Sequence, residues 1–325
     1  MWTSFRDYLK DRKSALDEAF KSQLSSLMGN VPMEDTASLM ATLEAGKKIR
    51  GGLSCLINEA LGGVLESAIP RAVAVELIQT ATLMHDDFVD QDTLRRNRPA
   101  TWTLEGARRA VLLGDVIFAS AIKMMSDLGR EDGAVVSQAI AQVAMGALHE
   151  PLDSAMLVRE IDLHHSPDRL YEKIIHLKTG ILFAAACRLG AIAAEADDQR
   201  KENAYQYGSY VGQAYQIADD MQDLKQALTR GSIDLLQMVT LAPALLHFAK
   251  EARPQVLALA GRKGPGLDDG VLDLLNLAVQ RMEKEIQERL QAAVRQIEKN
   301  FPDNEFSGLT RKAPWELIRM FTEES

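Results

Sequence analysis

Apolar residues return at helical spacing along almost the whole chain, while the signals that start a strand are nearly missing. Neither alternating Val/Ile/Thr runs nor such runs joined by Asn-Gly or Asp-Gly turns occur. Ala, Leu, Met, Glu and Gln dominate instead, and these lose little rotamer freedom in a helix. Residues 3–28 carry Phe5, Leu9, Leu16, Phe20, Leu24 and Leu27 at the spacing of an amphipathic first helix. A second stretch, 36–61, contains the basic knot Gly46-Lys47-Lys48-Ile49-Arg50-Gly51-Gly52, whose glycines predict a helix boundary. From Pro70 to about Asp90 the chain is apolar on most faces, which predicts a buried helix. Helices are predicted at about 104–128 and 132–150. Ser166 and Pro167 read as N-cap and first residue of a helix through about Leu189, and the last strongly apolar helix covers about 200–224. Pro70, Pro99, Pro151, Pro167 and Pro302 are expected at helix edges, and Arg262-Lys263-Gly264-Pro265-Gly266 in a loop.

No fixed-period repeat, low-complexity tract or linker interrupts this pattern. With 325 residues and 46% hydrophobic content, the expectation is one all-α domain over 1–325, a bundle of ten or more helices. Formal charge is −9, so general attraction to nucleic acid or an anionic membrane is excluded, and any bound anion needs local basic clusters. Cys55 and Cys187 lie far apart in apolar contexts, which suits buried thiols in a reducing compartment. The first residues are charged early and lack an apolar signal core, and no uninterrupted run of 18 apolar residues exists. These features predict a cytoplasmic protein without a membrane span.

Two helical stretches end in the same acidic pattern. Asp86-Asp87-Phe88-Val89-Asp90 and Asp219-Asp220-Met221-Gln222-Asp223 both read Asp-Asp-x-x-Asp. With 24 Asp in the chain, chance placement supplies roughly 0.13 such matches. The other Asp-Asp pairs, Asp197-Asp198 and Asp268-Asp269, do not fit the pattern. On a helix, Asp86 and Asp90 are i and i+4, with carboxylates about 6 Å apart on one face, and so are Asp219 and Asp223. Carboxylates that close repel and protonate unless cations neutralise them. Mg²⁺ is the natural cation, because it accepts one or two carboxylates and shares the rest of its shell with water and phosphate. The bland alternatives are solvated helix ends or a structural Ca²⁺ site, and no EF-hand spacing supports the latter.

Cations stand near these carboxylates. Arg95 and Arg96 follow the first motif, and arginine forks suit phosphate oxygens. Lys47 and Arg50 form a second candidate anion site. Lys178-Thr179-Gly180 interrupts an apolar helix, so Lys178 must either snorkel to the surface or meet an anion. Gln79 and Gln216 are polar residues in apolar helices, and internal hydrogen bonding is the plain alternative for both. Asp115 reads as structural. His85 reads as a neighbour of the first motif, and His149 and His164-His165 have no spacing that makes a metal site or triad.

In this order, Gly46-Lys47-x-x-Arg50, the first aspartate motif with Arg95-Arg96, Lys178-Thr179-Gly180 and Gln216-x-x-Asp219-Asp220-x-x-Asp223, the chain resembles the trans (head-to-tail) isoprenyl diphosphate synthases. The resemblance implies the isoprenoid synthase fold, helices around a central apolar cavity, a homodimer and three Mg²⁺ ions. It implies that Asp86, Asp90 and Asp219 ligate metal, with Asp87, Asp220 and Asp223 in support. Arg95 and Lys178 would hold the allylic diphosphate, while Lys47, Arg50, Gln79 and Arg96 would hold isopentenyl diphosphate. Thr179 and Gln216 would lie beside the reacting prenyl carbons. The family's two further lysines, downstream of the second motif, are missing from Gly231-Ser232-Ile233-Asp234 through Pro243, and Lys225 and Arg230 are the candidates to replace them.

The implied reaction condenses an allylic prenyl diphosphate with isopentenyl diphosphate into a longer linear trans-prenyl diphosphate. Ala81 and Thr82, five and four residues before Asp86, are small, so a growing chain meets no aromatic floor and the expected product is geranylgeranyl or longer. Two other readings compete. Terpene cyclases share the first motif but not the second. A regulatory or degenerate subunit of a heteromeric synthase would usually lose aspartates that are intact here.

Overall fold

The computed structural model describes residues 2–29, 36–164, 166–254, 256 and 269–323. The loop expected at 262–266, together with His165 and Asp268, lies outside these residues. The chain is all-α: α1 (Phe5–Met28), α2 (Thr36–Glu44), α3 (Ile49–Ala60), α4 (Leu65–Val89), α5 (Thr101–Glu105), α6 (Ala107–Leu128), α7 (Arg130–His149), α8 (Ser154–His164), α9 (Pro167–Ile175), α10 (Ile181–Ala193), α11 (Asp198–Arg230), α12 (Leu235–Phe248), α13 (Asp269–Ile297) and α14 (Ser307–Thr322). The Ser166 hydroxyl caps α9 by accepting from Asp168 N at 3.2 Å, and Pro167 is its first residue, as its sequence predicts.

Contacts divide the chain into two compact units. The first comprises Met1–Ile140, Ala184–Tyr205 and Ile297–Ala313. Here α4 packs against α1, α3 and α6, burying Phe5, Leu16 and Phe20 with Leu53, Ile57, Leu77 and Ile78. Tyr8 and Arg12 of α1 reach Glu59 of α3 at 2.5 and 2.6 Å, so the buried carboxylate has a guanidinium partner. The second unit comprises Ala141–Phe183, Gln206–Gln296 and Pro314–Ser325. Its core joins Tyr171 and Ile175 of α9, Ile217 and Leu224 of α11, Met238 and Leu245 of α12, and Met282 and Ile286 of α13.

Several expectations need correction. Pro70 lies inside α4, near enough to its N-terminus to interrupt a single backbone bond. The stretch 101–128 is two helices, broken at Gly106. The second acidic motif does not end its helix: α11 continues to Arg230, since no helix breaker follows Asp223 before Gly231. The polar loop 91–101 contains a small antiparallel hairpin, β1 (Leu94–Arg95) with β2 (Arg98–Pro99). Its turn residues Arg96 and Asn97 have φ of 53° and 59°, the left-handed pair of a type I′ turn, and only Asn97 is a residue type that favours it. Finally, Pro167–Ala193 forms one continuous helical stretch that is long and apolar enough to cross a membrane. Its most apolar window is 83% buried inside the protein, the property of a core helix.

Candidate active site

At the first acidic cluster, Asp90 caps the C-terminus of α4 and donates its backbone N–H to the Asp86 carbonyl at 2.8 Å. Asp86 and Asp90 therefore share the last turn of α4, as the spacing predicts. The negative end of the helix dipole adds to their charge, an arrangement that favours a cation. Asp87 points elsewhere. It is 3% exposed and accepts from Arg95 Nε at 2.7 Å and from Arg95 Nη2. Burial raises its pKa above the usual carboxylate value, and the Arg95 guanidinium offsets only part of that rise.

The hairpin carries the second arginine to the basic knot. Arg96 donates from Nη1 to the Ala45 carbonyl, which brings it against the Gly46–Arg50 segment at the start of α3. The two adjacent lysines of that segment part company. Lys48, in left-handed backbone at φ 53°, is buried with its ammonium 3.4 Å above the centre of the Phe20 ring, and desolvation lowers its pKa. Lys47 and Arg50 stay half-buried. Glu76 of α4 accepts from Gly51 N at 2.7 Å, a cap supplied from another helix where Lys48 gives none. Gln79, one turn along from Glu76, is half-buried. His85 bonds the Val111 carbonyl at 3.0 Å and stands 3.7 Å from Asp115, whose side chain is exposed.

The second cluster is built around an irregularity between α9 and α10. His176–Gly180 forms one π-helical turn, which puts Lys178 and Thr179 out of step with the flanking α-helices. Close packing accompanies it: a Cβ on Gly212 of α11 would come within 2.9 Å of the Gly180 Cα. Thr179 donates its hydroxyl to Gln216 Oε1 at 2.6 Å, and Gln216 Nε2 donates to Asp220 Oδ1 at 3.0 Å. The Tyr171 hydroxyl also donates to Asp220, at 2.7 Å. Both hydrogen-bond donors are neutral, and the charge of Lys178 offsets only part of the cost of burial. Burial, followed by repulsion from Asp219, raises the Asp220 pKa to about 7, and the same two causes raise Asp223 to about 6. Lys178 places both Glu150 carboxylate oxygens 2.6 Å from its Nζ.

The residues suit Mg²⁺. Among the described residues no three His, Cys, Asp or Glu side chains converge into a self-sufficient cage. Mg²⁺ needs none, since one or two carboxylates, water and phosphate oxygens complete its shell. Carboxylates whose pKa values have risen through burial and mutual repulsion are the donors such an ion rewards. Of the proposed stand-in cations on α11, Lys225 pairs with Glu283 at 2.8 Å and Arg230 bonds Gln237 at 3.1 Å. Two depressions of about 490 and 300 Å³ are lined by Trp2, Asp7, Lys10 and Asp11, and by Asp17, Glu18, Phe20, Lys21 and Glu44. Neither holds a candidate residue.

Sequence reasoning passed over Glu76, Glu150 and Tyr171. Nothing in the local pattern marks them, because their roles depend on partners 25, 28 and 49 residues away.

A sequence model of the polyprenyl synthetase family matches residues 35–259, and the chain belongs to that family. It is accordingly a transferase. The chain is 31% identical over 315 residues to heptaprenyl diphosphate synthase component 2 of Geobacillus stearothermophilus, covering 94% of each. It is 31% identical over 227 residues to the geranylgeranyl diphosphate synthase of Methanosarcina mazei, covering 67% of this chain and 66% of the relative. Its fold is similar to the geranylgeranyl pyrophosphate synthetase of Pyrococcus horikoshii, with a TM-score of 0.73 at 22% identity over 99% and 98% of the two chains.

Proposed function

We propose that the chain is a Mg²⁺-dependent prenyltransferase that joins an allylic prenyl diphosphate to isopentenyl diphosphate, giving a linear product of geranylgeranyl length or longer. The observation that carries this reading is the group on the π turn: Lys178 beside Thr179, Gln216 and Asp220, joined by hydrogen bonds of 2.6 and 3.0 Å. In this reading Asp86, Asp90 and Asp219 hold Mg²⁺, supported by Asp87, Asp220 and Asp223, and the metal supplies positive charge to a departing diphosphate. Arg95 and Lys178 bind the allylic diphosphate. Lys47, Arg50, Gln79 and Arg96 bind isopentenyl diphosphate, and the Arg96–Ala45 bond supports placing Arg96 with the basic knot. Thr179 and Gln216, buried and bonded to each other, lie beside the reacting carbons.

The whole span 1–325 is read as one synthase domain, since the family match runs through both units. Apolar side chains left exposed on α6 (Leu112, Val116) and α7 (Met145, Leu148) support a homodimer. Buried thiols at Cys55 and Cys187 accord with a reducing, cytoplasmic setting. The product length follows from Ala81, fully buried one turn before Asp86.

A second reading has one specific support: the relative that aligns over 94% of both chains is named as a component of its synthase. One experiment separates the two. The protein is incubated with Mg²⁺, isopentenyl diphosphate and each allylic diphosphate, and the products are chromatographed. A linear prenyl diphosphate from this chain alone is the expected outcome. Turnover only after a second protein is added favours the component reading, and a hydrocarbon product would point to a cyclase.

A further inference from the structure

Lys178 already has an anionic partner. Glu150 follows the last residue of α7 and offers both carboxylate oxygens to the ammonium, each at 2.6 Å. The contact is built in from two sides. A Cβ on Gly146, one turn earlier, would meet Lys178 N at 2.8 Å and the Leu177 carbonyl carbon at 2.9 Å, so α7 ends directly on the π turn. His149 bonds Glu160 of α8 at 2.8 Å within the protein interior, which fixes the end of α7, and buried Pro151 stiffens the connection to α8. The side chains of Lys178 and Glu150 are 30% and 23% exposed. That is sheltered enough for the pair to count for more than a surface ion pair, yet open to a ligand.

A carboxylate that presents two oxygens to one ammonium imitates two oxygens of a phosphate group. We propose that Glu150 is a built-in competitor for the diphosphate at Lys178. It holds the ammonium in position in the free enzyme, gives it up when the allylic diphosphate arrives, and takes it back as inorganic diphosphate departs. The inference rests on the assignment of Lys178 to the allylic diphosphate. Its consequence runs against the ordinary expectation for a salt bridge. Exchanging one anion for another, and leaving a displaced carboxylate near the incoming charge, lowers affinity. Removing the carboxylate therefore tightens binding, whereas removing a merely structural contact loosens it.

The test uses the full chain with Mg²⁺ and inorganic diphosphate as the probe, its affinity read by calorimetry and by inhibition of prenyl transfer. Glu150→Gln should bind the probe roughly three- to tenfold more tightly than wild type. KM for the allylic substrate should fall with it, KM for isopentenyl diphosphate should stay unchanged, and kcat should hold or drop as release slows. Lys178→Met should weaken the probe, and adding Glu150→Gln to it should bring no further tightening. Glu150→Ala, checked for folding by circular dichroism, should move affinity in the same direction and serves if the glutamine variant misfolds. Equal or weaker binding in both Glu150 variants, with Lys178→Met still weakened, overturns the role of Glu150 alone. A wild type that does not bind the probe, or a Lys178→Met protein that binds it as well as wild type, overturns the Lys178 assignment and this proposal with it.

Discussion

The same five-residue acidic pattern occupies two different environments in this protein. The first copy sits at the end of α4, with Asp90 exposed as the cap and Asp87 turned inward to a guanidinium. The second lies within α11, seven residues short of its end, and its inward carboxylate, Asp220, is held by a phenol and an amide. Asp87 accepts from a charged guanidinium that offsets part of its burial; the hydrogen bonds to Asp220 come from neutral groups, and its pKa rises to about 7. One spacing thus places one inward carboxylate on a guanidinium and the other on a phenol and an amide.

The largest expected effect tests whether the two copies are equally needed. Asp86→Ala and Asp219→Ala should each lower kcat for prenyl transfer by about 10²–10³-fold, the scale of losing one preorganised electrostatic contact in a transition state. Incorporation of labelled isopentenyl diphosphate reads this directly. A much smaller loss for either variant would mean that only one cluster does the chemistry.

Next come the two supports of the inward carboxylates. Arg95→Gln strands a buried charge at Asp87 and should cost about 1–3 kcal/mol of stability in denaturant melts. Tyr171→Phe removes one of two neutral donors from Asp220 and should cost about 1 kcal/mol. Equal costs would erase the distinction between a charged and a neutral support. At Ala81, a phenylalanine should shift the product distribution toward shorter chains by chromatography; an unchanged distribution would remove the floor from beneath the first cluster.

The smallest effect concerns pH. Asp220 and Asp223 have folded-state pKa values raised to about 7 and about 6 from an ordinary 3.8. A raised folded pKa means the unfolded chain gives up these protons first. Their favourable contribution is complete below about pH 4 and is lost as pH climbs through 6 and 7. Without metal, the protein should melt a few degrees lower at pH 8 than at pH 5.5. Mg²⁺ should narrow that gap, and Asp220→Asn should shrink it without metal. A gap untouched by either would place the titration elsewhere.

Much of the candidate site's local geometry was legible in the residues themselves. The i, i+4 carboxylates, the break at Gly46, the Ser166–Pro167 helix start and the odd lysine at 178 all follow from local spacing and residue chemistry. The hairpin that delivers Arg96 was not, because a left-handed arginine contradicts its own preference and is sustained by the surrounding fold. The extent of α11 was misjudged for the opposite reason: an acidic cluster looks like an ending, but nothing after it opposes the helix until Gly231.

By itself the sequence determined the all-α class, because helical periodicity without strand signals leaves few other ways to bury 46% apolar residues. It also determined which residues are charged, since charge is a property of residue type. Only the tertiary structure decided which of those charges are already spent. Arg95 is engaged by Asp87, Lys48 lies over Phe20, and Lys178 is held by Glu150. These pairings depend on close approach between segments distant in sequence, and an electrostatic partner is chosen by distance and burial rather than by order along the chain.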